Sequence, residues 1–517
     1  MARYKETDNS QGQFLTVNLK EQIMRGTFEW TVDHIINRTD LLLFENKYKN
    51  DEKGAAAYHP KVLLKIILFC YSRGIITSRK IERACRENII VKALAEDSEP
   101  DHDTIAAFIS TNNEEVSDLF TKILFKCSEL KLITGEMFAI DGCKLPSNAS
   151  KECSGKIEEL KKKRDKLRKY IGRVIKQHRE LDKDEKAAKH QRKYAKTMGS
   201  RKDRKARQLK RLNKKLDRMD KFLETAEPKK GLSIYEVQSN ITDNESGLIK
   251  SSKGYIQGYN GVTIADSGSQ IIITAEVTGS GPESGIFPEM LDQLEESMKK
   301  ITGKEKPLKK SLVEGDTGFF SEQNLQEAKK RNIEVLIPDQ QFRQRDPYFA
   351  QKKQEKVKER KQKFGIEDFK YNEKENSYTC PAGNILTHQC HQKLRNNTGH
   401  KYLAKSGVCK NCRLLEKCVH VKGSKNPRRA LYIADKRYEE NLSEEMRKKI
   451  DEPAYRELYS RRQQIVEPVF SDITYCKGMN RFTLRTKRKV TTQWKLYCMV
   501  HNIGKCIKPL ERKYGSR

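Results

Sequence analysis

The sequence predicts a mixed α/β chain, a sheet with helices packed on it, preceded by an all-helical segment. Three observations carry this. From Gly254 the hydrophobic period becomes two, giving strands over Tyr255–Ala265 and Gln270–Val277 joined by a turn at Asp266, Ser267 and Gly268. After that hairpin come a helix (Pro288–Lys300), a strand (Ser311–Glu314), a helix (Glu322–Arg331) and a strand (Glu334–Ile337), the alternation of a layered α/β unit. From about residue 14 to residue 133 the signals are helical throughout.

Taken in order, Pro60 stands where a first helical turn favours proline, and Gly74 where helices stop. Between them Val62, Leu63, Ile66, Ile67 and Phe69 make a mostly buried helix. Ser78 is expected to cap a second helix carrying Ile81, Ala84 and Cys85. Asp101 to Thr104 is expected to open a third, with Ile105 and Phe108 facing inward. These helices fit a helix-turn-helix DNA reader or a plain helical bundle; periodicity does not separate the two. Glu136–Asp141 reads as a strand. Ile157, Leu160, Leu167, Ile171 and Val174 then keep a three–four rhythm, and Leu209, Leu212, Leu216, Met219 and Leu223 keep it again. With the charged stretch Lys183–Arg207 between them, they predict a basic helical hairpin or short coiled coil. Residues 339–450 break the α/β order with a charge run, Lys352–Lys363, and a Cys-bearing segment. From Pro453 a helix runs through Tyr459–Ile473, and the C-terminus is helical and basic.

The expected organisation is therefore a helical domain over 1–133, the first part of an α/β core over 134–153 and an inserted basic hairpin over 154–230. The second part of the core follows over 231–338, a Cys-rich insertion over 339–452, and a helix with a basic helical C-terminus over 453–517.

Charge narrows the partner. Lys and Arg number 104 against 71 Asp and Glu, a formal net charge of +33. Polyphosphate backbones are the commonest partners that demand such an excess. Thirteen Cys, an odd number spread over 517 residues, do not form a secreted disulfide framework. Met1–Gln13 is polar, with no signal-peptide stretch, and the most apolar run, Val62–Cys70, is interrupted by Lys65 and too short to span a bilayer. The expectation is a soluble intracellular protein with no membrane partner.

Candidate chemistry rests on three acids. Asp141 ends the apolar strand Phe138-Ala139-Ile140, where a carboxylate is costly unless solvated, paired or metal-bound. Asp316 ends a second such strand, and ligand sites in open α/β sheets favour the carboxyl ends of strands. Glu467, on a helix after Arg461 and Arg462, is the candidate third acid. Oxygen-only ligands suit Mg²⁺ or Mn²⁺, and two such ions ~4 Å apart serve phosphodiester chemistry. Separately, Cys380, Cys409, Cys412 and Cys418 fit one structural Zn²⁺ or a set of free thiols, with Cys390, His388, His391, His400 and His420 as alternative ligands.

Several blocks resemble insertion-sequence transposases of the DDE class, in particular the insertion-sequence 1182 family. FAIDGCKLPSNAS (Phe138–Ser150) is similar to that family's first-Asp block, and KGYIQGYNGVTIAD (Lys253–Asp266) to its hairpin. EGDTGFFSEQNL (Glu314–Leu325) is similar to the second-Asp block. YSRRQQIVEPVF (Tyr459–Phe470) with RFTLRTKRKV (Arg481–Val490) resembles the Glu block and basic tail. PDHDTIAAF (Pro100–Phe108) resembles the end of the N-terminal domain. The resemblance implies a ribonuclease H-like core, Asp141, Asp316 and Glu467 as ligands of two Mg²⁺ or Mn²⁺ ions, and DNA ends and target DNA as partners. It implies at least a homodimer on DNA and a bacterial, nucleoid-associated cytoplasmic location. Tyr459 and Arg462 match the family's Tyr and Arg before the Glu. The Lys that follows is Thr474 here, with Lys477 three residues on as its replacement. Arg481 and Arg485 complete the expected DNA contacts. The expected activity is cleavage at an element's end, then attack of the freed 3′-hydroxyl on target DNA. The alternatives are a transposase that binds without cutting and a metal-dependent nuclease without strand transfer.

Overall fold

The computed structural model describes residues 16–48, 56–187, 192–230, 236–251, 254–279, 283–345, 364–394, 397–419, 426–435 and 441–514. The chain forms two units: one of Met1–Glu227, Gln238–Ile337 and Pro453–Arg517, the other of Pro228–Val237 and Pro338–Glu452.

Among the described residues the first unit opens with the α-helices α1 (Phe28–Arg38), α2 (Leu42–Glu45), α3 (Pro60–Ser72), α4 (Ser78–Glu87), α5 (Ile89–Leu94), α6 (His102–Thr111) and α7 (Asn113–Glu129). Pro60 lies in the first turn of α3. The helix is closed at Gly74, whose φ of 72° admits the bonds from Gly74 N to Tyr71 O and from Ile75 N to Cys70 O. Lys65, the charge inside the apolar run, is buried with its Nζ 3.0 Å from both Asp33 and Glu96. Asp101 caps α6, accepting from Thr104 N at 2.7 Å. At α4 the expectation is off by one residue. Thr77 holds the extended cap backbone, without a side-chain capping bond, and Ser78 is the first helical residue.

The sheet of this unit has six strands: β1 (Met137–Pro146), β2 (Gly247–Ser251), β3 (Gly254–Asp266), β4 (Ile272–Thr278), β5 (Leu312–Glu314) and β6 (Glu334–Leu336). Their order is β2-β3-β1-β5-β6, with β4 also paired to β3. β1 is antiparallel to β3 and parallel to β5, and β5 is parallel to β6. β3 explains why β1 outruns the expected Glu136–Asp141: it pairs with β1 continuously from Phe138↔Asp266 to Pro146↔Gly258. Parallel pairs need crossovers. α10 (Phe287–Thr302), between β4 and β5, and α11 (Glu322–Lys330), between β5 and β6, supply helices in those connections. Between β1 and β2 stand α8 (Ile157–Ala187) and α9 (Arg192–Thr225). Bonds from Arg168 to Asp220 (2.9 Å), Gln208 to Tyr170 (3.1 Å) and Lys205 to Gln177 (3.3 Å) set them antiparallel. Leu160, Ile171, Val174 and Met219 of the predicted rhythm are buried.

The second unit carries a five-stranded antiparallel sheet of β7 (Lys370–Asn372), β8 (Ser377–Thr379), β9 (Ile385–Leu394), β10 (Asn397–Ala404) and β11 (Ala430–Ala434), paired in sequence order. Phe369, Leu386, Tyr402, Ala404 and Leu431 form its core. Among the described residues, short helices accompany it: α12 (Phe342–Arg345), α13 (Leu415–Cys418) and α14 (Leu442–Asp451). Arg345 binds Asp339 at 2.7 Å and Asp451 at 2.6 Å. The charge run Lys352–Lys363 and His420 lie outside the described residues.

The chain then re-enters the first unit. α15 (Pro453–Ser471) runs on into a π-helical turn, Asp472–Cys476, and α16 (Lys487–Tyr514) follows. The basic tail is thus two things. Arg481, Arg485, Arg488 and Lys489 are exposed, whereas from Val490 onward α16 is a core element packed on α1, α3, α7 and β4. Trp494 and Tyr497 are fully buried. Trp494 donates to Val262 O at 3.3 Å, and a Cβ at Gly261 would lie 2.7 Å from its ring. Asn502 accepts from Ile272 N and donates to Ile272 O, both at 2.9 Å, answering the backbone of β4 as a neighbouring strand would. Among the described residues no helix is long and apolar enough to cross a membrane.

Candidate active site

β1 and β5 pair from Met137↔Leu312 to Ala139↔Glu314, and there β5 ends. Asp141 lies two residues beyond that last pair and Asp316 two residues beyond Glu314, so both acids stand where the parallel pair opens. The side-chain period of two puts Asp141 on the same face as Ala139 and Glu314. α15 packs on β1 across the site. From it Arg462 Nη1 donates to Asp141 Oδ2 at 3.0 Å, while Gly142 N donates to Asp141 Oδ1 at 2.7 Å. Gly318 N donates to Asp316 Oδ1 at 2.8 Å.

Burial pushes the Asp141 carboxyl above its ordinary range; Arg462 opposes this, and the charge of Asp316 adds to it. A third carboxyl shares the cluster. Glu283, buried before α10, accepts from Asn260 Nδ2 at 2.8 Å and has Lys144 Nζ at 3.5 Å. It is also raised, by burial first, then by Asp316 and Asp141 against the pull of Lys144. A Cβ at Gly318 would lie 2.6 Å from Glu283 Oε2 and 2.9 Å from Asp316 Oδ1, so these two carboxylates flank the space a side chain would fill.

Glu314 is fully buried, and neither of its oxygens has a hydrogen-bond partner. Burial raises its pKa to about 8, against the pull of Arg462 and Arg461. It is therefore protonated at neutral pH. Tyr459 is held under Arg462, whose guanidinium lies 5.8 Å from the ring centroid. Its phenol is raised to about 12 by burial, with Arg462 opposing and Asp316 and Glu314 adding.

The structure thus brings Asp141, Asp316, Tyr459 and Arg462 together. Glu467 lies five residues beyond Arg462 on α15, about 7.5 Å of rise and roughly 140° of rotation. It is exposed and makes no hydrogen bond or ion pair with any described residue. Lys477 is tied to Asp472, whose carboxyl is lowered to about 2 by His501 and Lys477 despite its burial. Arg485 is exposed, with its Nε bonded to Asn148 O at 2.9 Å, and Arg481 is exposed. Sequence reasoning missed Glu283, which stands in a Gly/Ser-rich connection without periodicity. Glu314 carried a signal, an acid inside an apolar strand, that went unused.

In the second unit Cys380, Cys409, Cys412 and Cys418 line one pocket with Phe364 and Leu386. Burial raises the Cys418 thiol against the pull of Arg429, and the other three thiols raise it further. Asn384 N donates to Cys380 Sγ at 3.3 Å.

Residues 379–507 match the family described as Transposase DDE domain, and residues 17–111 match the Transposase domain (DUF772). Together these matches support a DDE-type transposase. No curated protein matches the chain. The first match contains the four thiols, Tyr459, Arg462 and Glu467; the second contains α1 to α6.

Proposed function

We propose that this transposase cleaves DNA at the ends of a mobile element and joins the freed 3′-hydroxyl to target DNA, working on DNA as a homodimer or larger assembly. The observation that carries the reading is the pairing of Asp141 and Asp316 at the open end of β1 and β5. The strand order β4-β3-β1-β5-β6, with three antiparallel and then two parallel members, supports a ribonuclease H-like core. The insertion-sequence 1182 family is the closer reading, on the blocks around Asp141, Asp316 and Glu467.

The residues fit a hard divalent cation. Asp141 and Glu283 are raised by burial and by neighbouring carboxylates, a repulsion that a dication relieves, and every donor is oxygen. Asp141, Asp316 and Glu467 would hold two Mg²⁺ or Mn²⁺ ions, which supply activation of the attacking oxygen and charge for the leaving one. Arg462 holds Asp141 in register, and Tyr459 braces Arg462. Glu467, exposed on the helix that carries Arg462, completes the set when DNA is bound. Exposed Arg481 and Arg485, with the surface of α8 and α9, hold the phosphate backbone, and Lys477 joins them once released from Asp472. The four thiols hold one structural Zn²⁺.

Glu283 is the rival third ligand, because it is already coupled to both Asp residues. Glu467→Gln and Glu283→Gln separate the two. Glu467→Gln is expected to abolish Mg²⁺-dependent cleavage while DNA binding persists, with Glu283→Gln retaining cleavage. The reverse pattern would transfer the role to Glu283.

A further inference from the structure

We infer a second transition-metal site in the second unit, formed by His391, His400 and Asp435, separate from the four thiols. The ligand atoms of these three residues lie within 4.8 Å of one another, the group among the described residues with that spacing. His391 Nε2 is 2.7 Å from Asp435 Oδ2, and His400 Nε2 is 3.7 Å from Asp435 Oδ1.

The backbone builds this cluster by direct strand pairing, and one irregularity brings His388 to it. His391 pairs directly with His400 across β9 and β10, and His400 with Ile433 across β10 and β11, so the two imidazoles share a face. Asp435, two residues past Ile433, follows on that face, held where its N donates to Thr398 O at 2.9 Å. His388 stands three residues before His391, a spacing that puts strand neighbours on opposite faces. A register shift between His388 and Cys390 absorbs one residue and returns His388 to the same side, opposite Tyr402. His388 Nε2 then lies 2.9 Å from His400 Nδ1.

That contact orients the His400 ring. Imidazole metal ligands are commonly oriented by a partner on their other ring nitrogen. When His400 donates from Nδ1 to His388, its Nε2 carries a lone pair aimed at Asp435 Oδ1, an acceptor facing an acceptor beyond hydrogen-bond reach. A cation between them satisfies both. Two imidazoles and a carboxylate suit Zn²⁺ among the biologically common divalent ions. Binding moves the proton of neutral His391 from Nε2, where it faces Asp435, to Nδ1 by exchange with water, leaving both Nε2 lone pairs and a carboxylate oxygen as ligands and a further position open to water. The ion would fasten the end of β11 to the β9–β10 hairpin.

The test is Zn²⁺ uptake by the full-length chain, with metal per chain counted by mass spectrometry after titration at neutral pH. The parent is expected to take up one equivalent more than a His391→Ala, His400→Ala double variant. Cys409→Ser is expected to keep that equivalent. Asp435→Asn, which preserves size, should weaken the same equivalent and covers the case in which the double variant misfolds. Co²⁺ gives an independent reading: the His-site equivalent adds weak visible bands without sulfur charge-transfer absorption, and these vanish in the His variant. Equal Zn²⁺ uptake by parent, double variant and Asp435→Asn would overturn the inference, as would uptake by Cys409→Ser that falls no further when His391→Ala and His400→Ala are added to it.

Discussion

Replacing Glu314 by Gln should stabilise the protein at neutral pH, by an amount that grows with pH. Glu314 has its pKa at about 8 in the fold, against an ordinary value of 4.5 for the unfolded chain. Between those values the native state keeps a proton that the unfolded state has released, so stability falls as pH rises. The slope is about 1.4 kcal/mol per pH unit, or about 3 kcal/mol between pH 5 and pH 7. Above pH 8 the native carboxyl also ionises and the loss levels off. Gln keeps the shape and removes the titration. Its own amide is buried without partners, a constant cost of about 1–3 kcal/mol that offsets the gain but carries no pH dependence. The assay is urea unfolding of the parent and Glu314→Gln from pH 5 to pH 8.5, followed by tryptophan fluorescence, which reports the first unit through Trp30 and Trp494. The difference in unfolding free energy should shift in favour of Gln across that range. A difference that stays flat with pH would refute the reasoning, because Glu314 would then be ionised, or neutral, in both states alike.

Three further outcomes follow from the same geometry. Asp141→Ala should abolish cleavage and leave DNA binding intact or tighter, since one negative charge near the phosphate is removed; a filter-binding or mobility assay beside the cleavage gel checks both halves. Gly261→Ala should destabilise the first unit by about 1–3 kcal/mol, as an overpacked core position against the Trp494 ring; a denaturation curve indistinguishable from the parent's would contradict the close approach of β3 and α16. Excising Lys156–Lys221 should flatten the slope of log affinity against log salt by several units, at roughly 0.9 for each phosphate no longer neutralised, and weaken specific and random DNA alike. An unchanged slope would make α8 and α9 a spacer.

Much of the core was legible because its strands and helices keep clean periods. The Gly254–Asp266 and Ile272–Thr278 hairpin, α10, β5, α11 and β6 all fall within a few residues of their sequence reading. The caps at Pro60, Gly74 and Asp101 were legible because they rest on backbone rules that act locally. What escaped the sequence depends on contacts between distant segments. The length of β1 is set by β3, more than a hundred residues later, and α16 is buried because Gly261 leaves room for Trp494. In the site, Asp141 and Asp316 could be picked out as acids at strand ends. Glu283 could not, since nothing in its connection says that it returns beside Asn260 and Lys144. The role of Arg462 as the partner of Asp141 likewise follows from how α15 lies on the sheet. The approach of His388 to the His391–His400–Asp435 cluster depends on a single-residue register shift that no hydrophobic period announces.

The most direct measurement of the central claim is a strand-transfer gel. A labelled duplex taken from the DNA that flanks the coding sequence is incubated with full-length protein, target DNA and Mg²⁺, and nicked, cleaved and joined products are resolved. A cleaved 3′ end and a slower joined product are expected, both requiring Mg²⁺ and both disappearing in Asp141→Asn and Asp316→Asn. Cleavage without any joined product would reduce the protein to a nuclease, and undiminished cleavage in Asp141→Asn or Asp316→Asn would contradict the assignment of the site.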